Sequence, residues 1–267
     1  MEALDCSLAR LAATLAEALG IEPPKQAEPA LPFVAPPLAE LASGPLERCL
    51  LHNPDAVAAW LYRKYAPWFE PVLRHTQLAL PLRSPLPSVT PVCFGTMYTG
   101  AQPEAHGIQA YEKPVIRIDS LFDALARAGW RTAIVAVEGS SMSRIYLDRA
   151  VEYHFLPDDS AVLEKAVALL EADAYDFLSV YTQSYDDTMH RCGVEAEESL
   201  QALRSQIEGF DRLATAAKAG WKGKNALLGF CTDHGVHNYE NGKGGHGSDS
   251  PLDTRVLHFL GVAPSGT

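Results

Sequence analysis

The sequence predicts a doubly wound α/β fold, in which helices cover both faces of a mainly parallel sheet. Two observations lead to this prediction: short, continuous apolar runs recur along the chain, and longer segments with helical spacing separate them. Strands that are buried on both faces have continuous apolar runs rather than alternating ones. In such sheets reactive groups gather outside the carboxyl ends of the strands, so the residues that follow each run are the first candidates for a site.

The N-terminal part is predicted to differ from the rest. Residues 3–19 have apolar side chains at helical spacing and predict an amphipathic helix, whereas the Pro-rich stretch 21–38 predicts an extended connector. The predicted strands follow at 48–52, 131–137, 175–182, 225–232 and 254–262. We therefore expect a single domain over residues 1–267, with an N-terminal helix and connector at 1–40 and a catalytic core at 41–267.

Composition excludes several classes of protein. Apolar residues make up 47% of the chain and charged residues 21%, which is typical of a globular protein rather than a disordered or fibrous one. The net charge of -11 disfavours binding to a nucleic-acid backbone. An anionic substrate is still compatible with this charge, because bound divalent cations supply positive charge locally.

Two further features bear on where the protein works. No run of 18 apolar residues occurs, so no membrane span is expected. The five cysteines are scattered without a C-x-x-C pair, and the N-terminus does not resemble a signal peptide. These observations predict a cytoplasmic protein without a disulfide framework.

Carboxylates follow three of the predicted strands, and histidines lie beside two of them. The residues are Asp55, Asp186, His190, Asp233, His234 and, 12 positions beyond His234 among glycines, His246. Asp186 and His190 are spaced to share one face of a helical turn. Mixed sets of imidazole and carboxylate ligands suit zinc or manganese.

Each of these residues also has a simpler interpretation. An isolated Asp after a strand usually caps a helix, and an isolated loop His is usually a hydrogen-bonded bystander. Joint placement at successive strand ends favours the metal site. Among the other histidines, His106 is expected to stabilise a turn and His237 to support the Asp233–His234 pair.

Thr90 is a second candidate for chemistry. Pro91 favours a helix start, which would place Thr90 at the N-cap, where free N–H groups and the helix dipole attract a phosphoryl group. A hydroxyl that also coordinates a metal ionises more easily and becomes a nucleophile. The alternative is that Ser88 and Thr90 only cap the helix.

Five short motifs occur in a fixed order along the chain. They are Thr90 with Thr99-Gly100 nine residues later, Gln-Pro-Glu-Ala-His-Gly-Ile at 102–108, Asp-x-x-x-His-x-x-Gly at 186–193, Thr-Asp-His-Gly at 232–235 and His-Gly at 246–247. On these motifs the chain from 48 to 250 resembles the alkaline phosphatase superfamily, and most closely its nucleotide pyrophosphatase/phosphodiesterase branch. The early Asp-Gly of that branch is Asp55-Ala56 here.

The resemblance implies two divalent metal ions, zinc or manganese, and a small phosphorylated substrate. One ion would be held by Asp186, His190 and His246, and the other by Asp55, Asp233, His234 and the Thr90 hydroxyl. Thr90 would attack phosphorus to give a phosphothreonine intermediate, which water then hydrolyses.

Two departures from the family pattern affect substrate binding. The branch has an Asn three residues after the nucleophile, where this chain has Cys93, and a thiol is a poorer donor. Lys113 is therefore a second candidate for contacting the substrate, the alternative being an exposed Lys without a role. Only 11 residues separate His234 from His246, so no large cap domain is expected, and segments 56–89 and 138–155 are the only spare material for one.

The favoured hypothesis is a phosphodiesterase or phosphomonoesterase. A sulfatase is disfavoured because Thr90-Pro91-Val92 lacks the C/S-x-P-x-R-like motif of those enzymes, and phosphomutase relatives carry a large cap. A second hypothesis is a weak or inactive metal-binding homologue with a binding or regulatory role, and a third is a generic α/β domain whose acids are caps. The sequence does not predict the oligomeric state or choose between zinc and manganese.

Overall fold

The computed structural model of the chain describes residues 6–266. The strands within this range are β1 (Cys6–Ser7), β2 (Arg48–Pro54), β3 (Leu78–Arg83), β4 (Thr132–Val137), β5 (Glu152–Leu156), β6 (Phe177–Thr182), β7 (Ala226–Phe230), β8 (His237–Asn238), β9 (Gly244–Gly245) and β10 (Arg255–Ala263). Eight of them form one sheet in the order β1-β3-β10-β7-β2-β6-β4-β5, and β8 pairs with β9 in a separate hairpin. In the large sheet β10 is antiparallel to both of its neighbours, and all other neighbouring strands are parallel. The predicted mainly parallel sheet is confirmed.

Helices cover both faces of this sheet. They are α1 (Leu11–Ala18), α2 (Ala35–Ala42), α3 (Ala59–Lys64), α4 (Glu70–Leu73), α5 (Thr90–Thr99), α6 (Pro103–His106), α7 (Leu121–Arg127), α8 (Met142–Ile145), α9 (Asp159–Glu171), α10 (Ser184–Cys192), α11 (Glu197–Gly220) and α12 (Pro251–Thr254). Residues of α1, α2, α5 and α7 belong to one apolar cluster, and residues of α3, α4, α9 and α11 to another. None of the helices between residues 6 and 266 is long and apolar enough to span a bilayer.

The central strands explain the continuous apolar runs. Every residue of β2, β4, β6 and β7 is buried. Successive side chains still alternate between the two faces, so that Cys49 and Leu51 join one apolar cluster and Leu50 joins the other. Apolar residues therefore occupy most positions of these strands, because both faces are covered.

The N-terminal predictions are partly corrected. Helical structure covers Leu8–Arg10, as a 3-10 turn, and α1, whereas residues 3–5 of the predicted helix lie outside the described range. The predicted extended connector is wrong at its end, because α2 begins at Ala35. Pro36 and Pro37 stand in the first turn of α2, where a missing N–H removes no helical hydrogen bond.

Segment 56–89 is not spare material for a cap. It forms α3, a 3-10 turn at Ala66–Phe69, α4 and β3, and β3 pairs along its length with β10. Segment 138–155 contains α8 and most of β5, which lies at the edge of the sheet. Between His234 and His246 the chain forms only the small β8–β9 hairpin.

Candidate metal centre

The predicted ligands meet at the carboxyl ends of three neighbouring strands. Asp55 follows β2, α10 with Asp186 follows β6, and Asp233 and His234 come shortly after β7. Because β6, β2 and β7 are adjacent and parallel, their carboxyl ends lie at the same edge of the sheet. The β8–β9 hairpin then returns the chain to this edge at His246.

Three fully buried residues form what we call the inner group: Asp55, Asp233 and His234. One potential ligand atom from each lies within 4.8 Å of the others. His234 Nε2 is 3.4 Å from Asp55 Oδ1 and 3.3 Å from Asp233 Oδ2. Both of these carboxylate oxygens are buried without a hydrogen-bond partner, so acceptor atoms face one another with no donor between them.

The outer group consists of Asp186, His190 and His246. His246 Nε2 is 3.4 Å from Asp186 Oδ1, and His190 Nε2 is 3.3 Å from Asp186 Oδ2 and 3.1 Å from His246 Nε2. Asp186 and His190 lie one turn apart on α10, as their spacing predicts. His234 also approaches this group, because its ring stacks on that of His246 at 3.9 Å and its ligand atom lies within 4.8 Å of those of Asp186 and His246.

The three histidines are oriented by backbone carbonyls. Nδ1 of His190 lies 3.1 Å from the Gly244 carbonyl, Nδ1 of His234 lies 3.1 Å from the Gly235 carbonyl, and Nδ1 of His246 lies 2.9 Å from the Ser88 carbonyl. A carbonyl only accepts, so in the neutral ring the proton is on Nδ1 and the lone pair of Nε2 points into the cluster. Metal-binding histidines are commonly oriented in this way.

The inner group disfavours the charged forms of its side chains when no cation is bound. Burial, and then the charges of Asp233 and Asp186, raise the pKa of Asp55 well above its usual value. Burial, with a contribution from Asp186, raises the pKa of Asp233 to about 7. Burial also lowers the pKa of His234. Divalent cations would compensate these carboxylates and satisfy their unpartnered oxygens, so the donor set fits metal binding.

Thr90 does not cap its helix. The α5 helix begins at Thr90, and no side chain caps its first N–H groups. The Ser88 hydroxyl instead donates to the Ser248 carbonyl at 3.0 Å. Thr90 Oγ1 lies 3.4 Å from Asp55 Oδ2 and 3.3 Å from His234 Nε2. The capping alternative is therefore wrong for both residues, and the Thr90 hydroxyl faces the inner group.

A cavity of about 160 Å³ opens beside Thr90. Its lining residues are Asp55, Thr90, Tyr111, Lys113, Glu138, Gly139, Ser140, Ser141, Tyr181, Gln183, Asp186 and Asp187. Lys113 is half-buried there, and its Nζ donates to the Gly139 carbonyl at 3.0 Å. Cys93 is fully buried and does not line the cavity, and burial raises the pKa of its thiol well above the usual value. Of the two predicted substrate contacts, the structure thus brings only Lys113 to the cavity.

Several residues at the site were not predicted from the sequence. Tyr181, the penultimate residue of β6, donates a hydrogen bond to Asp55 Oδ2 and lines the cavity. Ser140 and Ser141 come soon after β4, and Gln183 follows β6 directly. The strand-end rule that identified the ligands also applies to the last three, whereas Tyr181 has no local signal that distinguishes it from a core tyrosine.

Two other histidines stabilise loops near the site. His106 accepts from the Ile108 N–H at Nδ1 and donates from Nε2 to Thr96 Oγ1, which confirms its predicted role in the turn. His237 Nδ1 lies 2.7 Å from Asp253 Oδ1, and Asp253 Oδ2 accepts from the backbone and hydroxyl of Ser248. This interaction holds the loop that follows His246.

Comparisons with solved structures support the fold. Murine ectonucleotide pyrophosphatase/phosphodiesterase 5 matches with a TM-score of 0.56 and 18% identity over 73% of this chain and 59% of that chain. An inactive threonine-to-alanine variant of the murine protein, in complex with AMP, matches with a TM-score of 0.55 and 17% identity over 73% of this chain and 59% of that chain. Phosphonoacetate hydrolase from Sinorhizobium meliloti 1021, in complex with phosphonoacetate, matches with a TM-score of 0.53 and 15% identity over 72% of this chain and 57% of that chain. The chain thus corresponds to less than two thirds of each of these proteins.

The sequence comparisons give a family. No curated protein matches the chain significantly. The family model described as type I phosphodiesterase / nucleotide pyrophosphatase matches residues 53–256, which include all the ligands of the inner and outer groups and Thr90. The chain therefore belongs to the type I phosphodiesterase / nucleotide pyrophosphatase family of the alkaline phosphatase superfamily.

Proposed function

We propose that this protein is a phosphoester hydrolase that uses Thr90 as its nucleophile and depends on two divalent metal ions. The position of the Thr90 hydroxyl is the observation that carries the proposal. It lies within 3.4 Å of ligand atoms of Asp55 and His234, starts a buried helix and borders a cavity. A group in this position can meet a phosphoryl centre at the positive end of α5.

The residues present divide naturally between two ions. Asp55, Asp233, His234 and the Thr90 hydroxyl would hold the inner one, and Asp186, His190 and His246 the outer one. Zinc fits this set of imidazole and carboxylate ligands best, and manganese is the second candidate. When bound, such ions lower the pKa of a coordinated hydroxyl and offset the charge of a phosphoryl group.

The chain's own residues then perform a double displacement. The Thr90 oxygen attacks phosphorus, the bond to the leaving alcohol breaks, and a phosphothreonine remains. Water hydrolyses this ester, which releases phosphate or a phosphomonoester and restores the hydroxyl. Lys113, which lines the same cavity, would bind an anionic oxygen of the substrate.

The size of the cavity favours a small substrate. A volume of about 160 Å³ holds a phosphoryl group with a short substituent, and anything longer would extend into solvent. The AMP and phosphonoacetate named in the titles of the structural neighbours are consistent with a small phosphorylated or phosphonylated ligand. We therefore propose a small phosphorylated substrate rather than a polymer.

Metal content and turnover test this proposal together. Wild-type protein should bind two ions and hydrolyse p-nitrophenyl phosphate or bis(p-nitrophenyl) phosphate. Thr90→Ala should reduce turnover by at least about 10³-fold because covalent catalysis is lost, whereas Thr90→Ser keeps a hydroxyl and should retain measurable turnover.

The alternative function gives a different result. Two bound ions with no hydrolysis of either ester, at any pH and with either metal, would indicate a metal-binding homologue with a regulatory role. Full turnover in Thr90→Ala would exclude Thr90 as the nucleophile. The relative rates with the two esters decide between a monoesterase and a diesterase.

A further inference from the structure

A chain of buried and partly buried hydrogen bonds connects β2, β6, α11, α9 and α10. His52 Nε2 lies 2.9 Å from Thr182 Oγ1, and Thr182 Oγ1 donates to Gln206 Oε1. Gln206 Nε2 donates at 2.8 Å both to Asp159 Oδ2 and to Ser184 Oγ. Five elements are thus joined through side chains, with the Gln206 amide at the centre.

Each hydrogen bond in this network can have only one direction. The amide oxygen of Gln206 can only accept, so Thr182 gives it its proton and accepts from the N–H of His52. Burial lowers the pKa of His52 to about 3, and the ring is therefore neutral at ordinary pH. The amide nitrogen of Gln206 uses both hydrogens. All of these groups are paired except His52 Nδ1, which is buried without a partner, and such a network favours one arrangement of the elements it joins.

Asp159 ends the network at the first residues of α10. Its Oδ1 accepts from the Gln183 N–H at 2.9 Å, and its Oδ2 accepts from the Ser184 N–H at 2.8 Å. Although Asp159 is the first residue of α9, the cap of that helix is its neighbour Asp158, which accepts from Ala161 N–H at 2.9 Å. The Asp159 carboxylate therefore serves α10 rather than its own helix.

The α10 helix needs such an anchor because little of it is buried. Only Tyr185 and Met189 of its nine residues are buried, whereas His190 is exposed at the surface. This helix carries both Asp186 and His190. A shift of the helix along its axis, or a rotation about that axis, would move both residues away from His246. Carboxylate bonds to the free N–H groups at its start fix its position and complement its dipole.

We propose that Asp159 and Gln206 are positioning residues for the outer metal ion. They hold the start of α10 so that Asp186 and His190 meet His246, and they touch neither metal nor substrate. This role rests on the proposed two-ion function. The inner group should depend on it less, because Asp55 and Asp233 follow central strands that are paired on both sides.

Asp159→Asn tests the proposal, with Asp158→Asn as the matched control. An amide in place of the Asp159 carboxylate brings an NH₂ group against a backbone N–H and weakens the anchor. The affinity of each ion is measured by zinc titration against a chelating dye, with elemental analysis. We expect the weaker zinc site of Asp159→Asn to lose affinity by about 10–100-fold, the range for residues that orient metal ligands, with the tighter site changed by less than about threefold. Asp158→Asn should change neither.

Gln206→Leu provides a second variant of similar volume that should fold if Asp159→Asn does not. It should show the same selective loss, and hydrolysis of p-nitrophenyl phosphate should recover when zinc is raised by the factor by which affinity fell. A merely structural role would instead lower both affinities together with the melting temperature, without recovery by zinc. Either that result or an unchanged outer affinity in Gln206→Leu overturns the positioning role.

The control for the underlying function is the wild type. Wild-type protein that binds no zinc would refute the two-ion centre itself. Wild-type protein that binds two ions, beside variants with unaltered affinities, would refute only the role of Asp159 and Gln206.

Discussion

The inner and outer groups of the site are built in different ways. Asp233 and His234 are fully buried and follow a central strand, whereas the outer His190 side chain is 43% exposed and lies on a surface helix. The inner group has two carboxylates and one histidine, and the outer group has one carboxylate and two histidines; each carboxylate has one buried oxygen without a hydrogen-bond partner. Central strands hold the inner ligands, while Asp186 and His190 lie on a helix held by hydrogen bonds and His246 lies in the loop after the β8–β9 hairpin.

The largest expected effect is that of removing metal. A strong chelator should abolish hydrolysis and release zinc in two phases, because the exposed His190 gives the outer ion an easier exit than the fully buried inner group allows. We expect at least about a tenfold difference between the rate constants, followed by stopped-flow absorbance of a chelating dye. Release of both ions in one phase would contradict the division into two halves.

Asp233→Asn, a substitution in the inner group, should raise the stability of the metal-free protein and lower turnover. The substitution removes a buried carboxylate beside Asp55 and keeps an oxygen for the Ala56 N–H, so the metal-free protein should gain about 1–2 kcal/mol in its free energy of unfolding. Turnover should fall by about 10³-fold as the inner ion is lost. Urea unfolding and elemental analysis measure the two effects.

His190→Ala is the matched outer substitution. Its exposed ring contributes little to packing, so the metal-free protein should change by less than about 0.5 kcal/mol while zinc affinity falls. If the inner and outer substitutions changed stability alike, burial would not be what distinguishes the two groups.

The pH dependence of stability should report two buried histidines that support the inner strands. Burial lowers the pKa of His52 to about 3 and that of His258, which donates to the Thr232 carbonyl, to about 4. Between these values and about 6.5 the unfolded chain binds protons that the folded one does not. Stability is therefore present above pH 6.5 and is lost as pH falls, by up to about 1.4 kcal/mol per pH unit for each histidine.

His258→Gln tests this pH dependence because glutamine can still donate to the carbonyl but does not titrate. Urea unfolding of metal-free protein at pH 7 and pH 5 should show a smaller difference for the variant than for the wild type. An equal difference would mean that His258 does not contribute to acid sensitivity.

The smallest effect concerns the two predicted substrate contacts. Lys113→Met should raise KM by about 3–10-fold, because it removes a cation from the cavity. Cys93→Ala should change KM by less than about twofold, because the Cys93 thiol is buried away from the cavity. Steady-state kinetics with p-nitrophenyl phosphate measure KM for both variants. A larger increase in KM for Cys93→Ala than for Lys113→Met would support the predicted contact between Cys93 and the substrate.

The inner ligands were easier to predict than the features that support the outer ones. Continuous apolar runs mark buried parallel strands, so the residues after β2 and β7 could be identified from local pattern alone. By contrast β3 was missed, because its burial alternates and Pro81 argues against a strand. Among the described residues, β1 pairs with Leu82 and Arg83 and not with Pro81.

The supporting network could not be predicted from sequence. In sequence, Gln206 is an ordinary polar residue of a long helix, and Asp159 looks like a helix start. Their role depends on how α9, α10 and α11 meet, and no local spacing encodes that arrangement. The burial of Cys93 was likewise hidden, because a family motif aligns positions without stating which way a side chain points.

The β8–β9 hairpin has a consequence for engineering the protein. Its turn is closed by the Tyr239 N–H bond to the Lys243 carbonyl at 2.8 Å, and residues 239–243 are exposed. Both ends of this short loop are tethered to ligands, His234 on one side and His246 on the other. Exposed loop tips accept inserted sequence readily, so a graft at this turn would leave the sequence of every ligand unchanged. The hairpin therefore offers a site where sequence can be added between two ligands without replacing either of them.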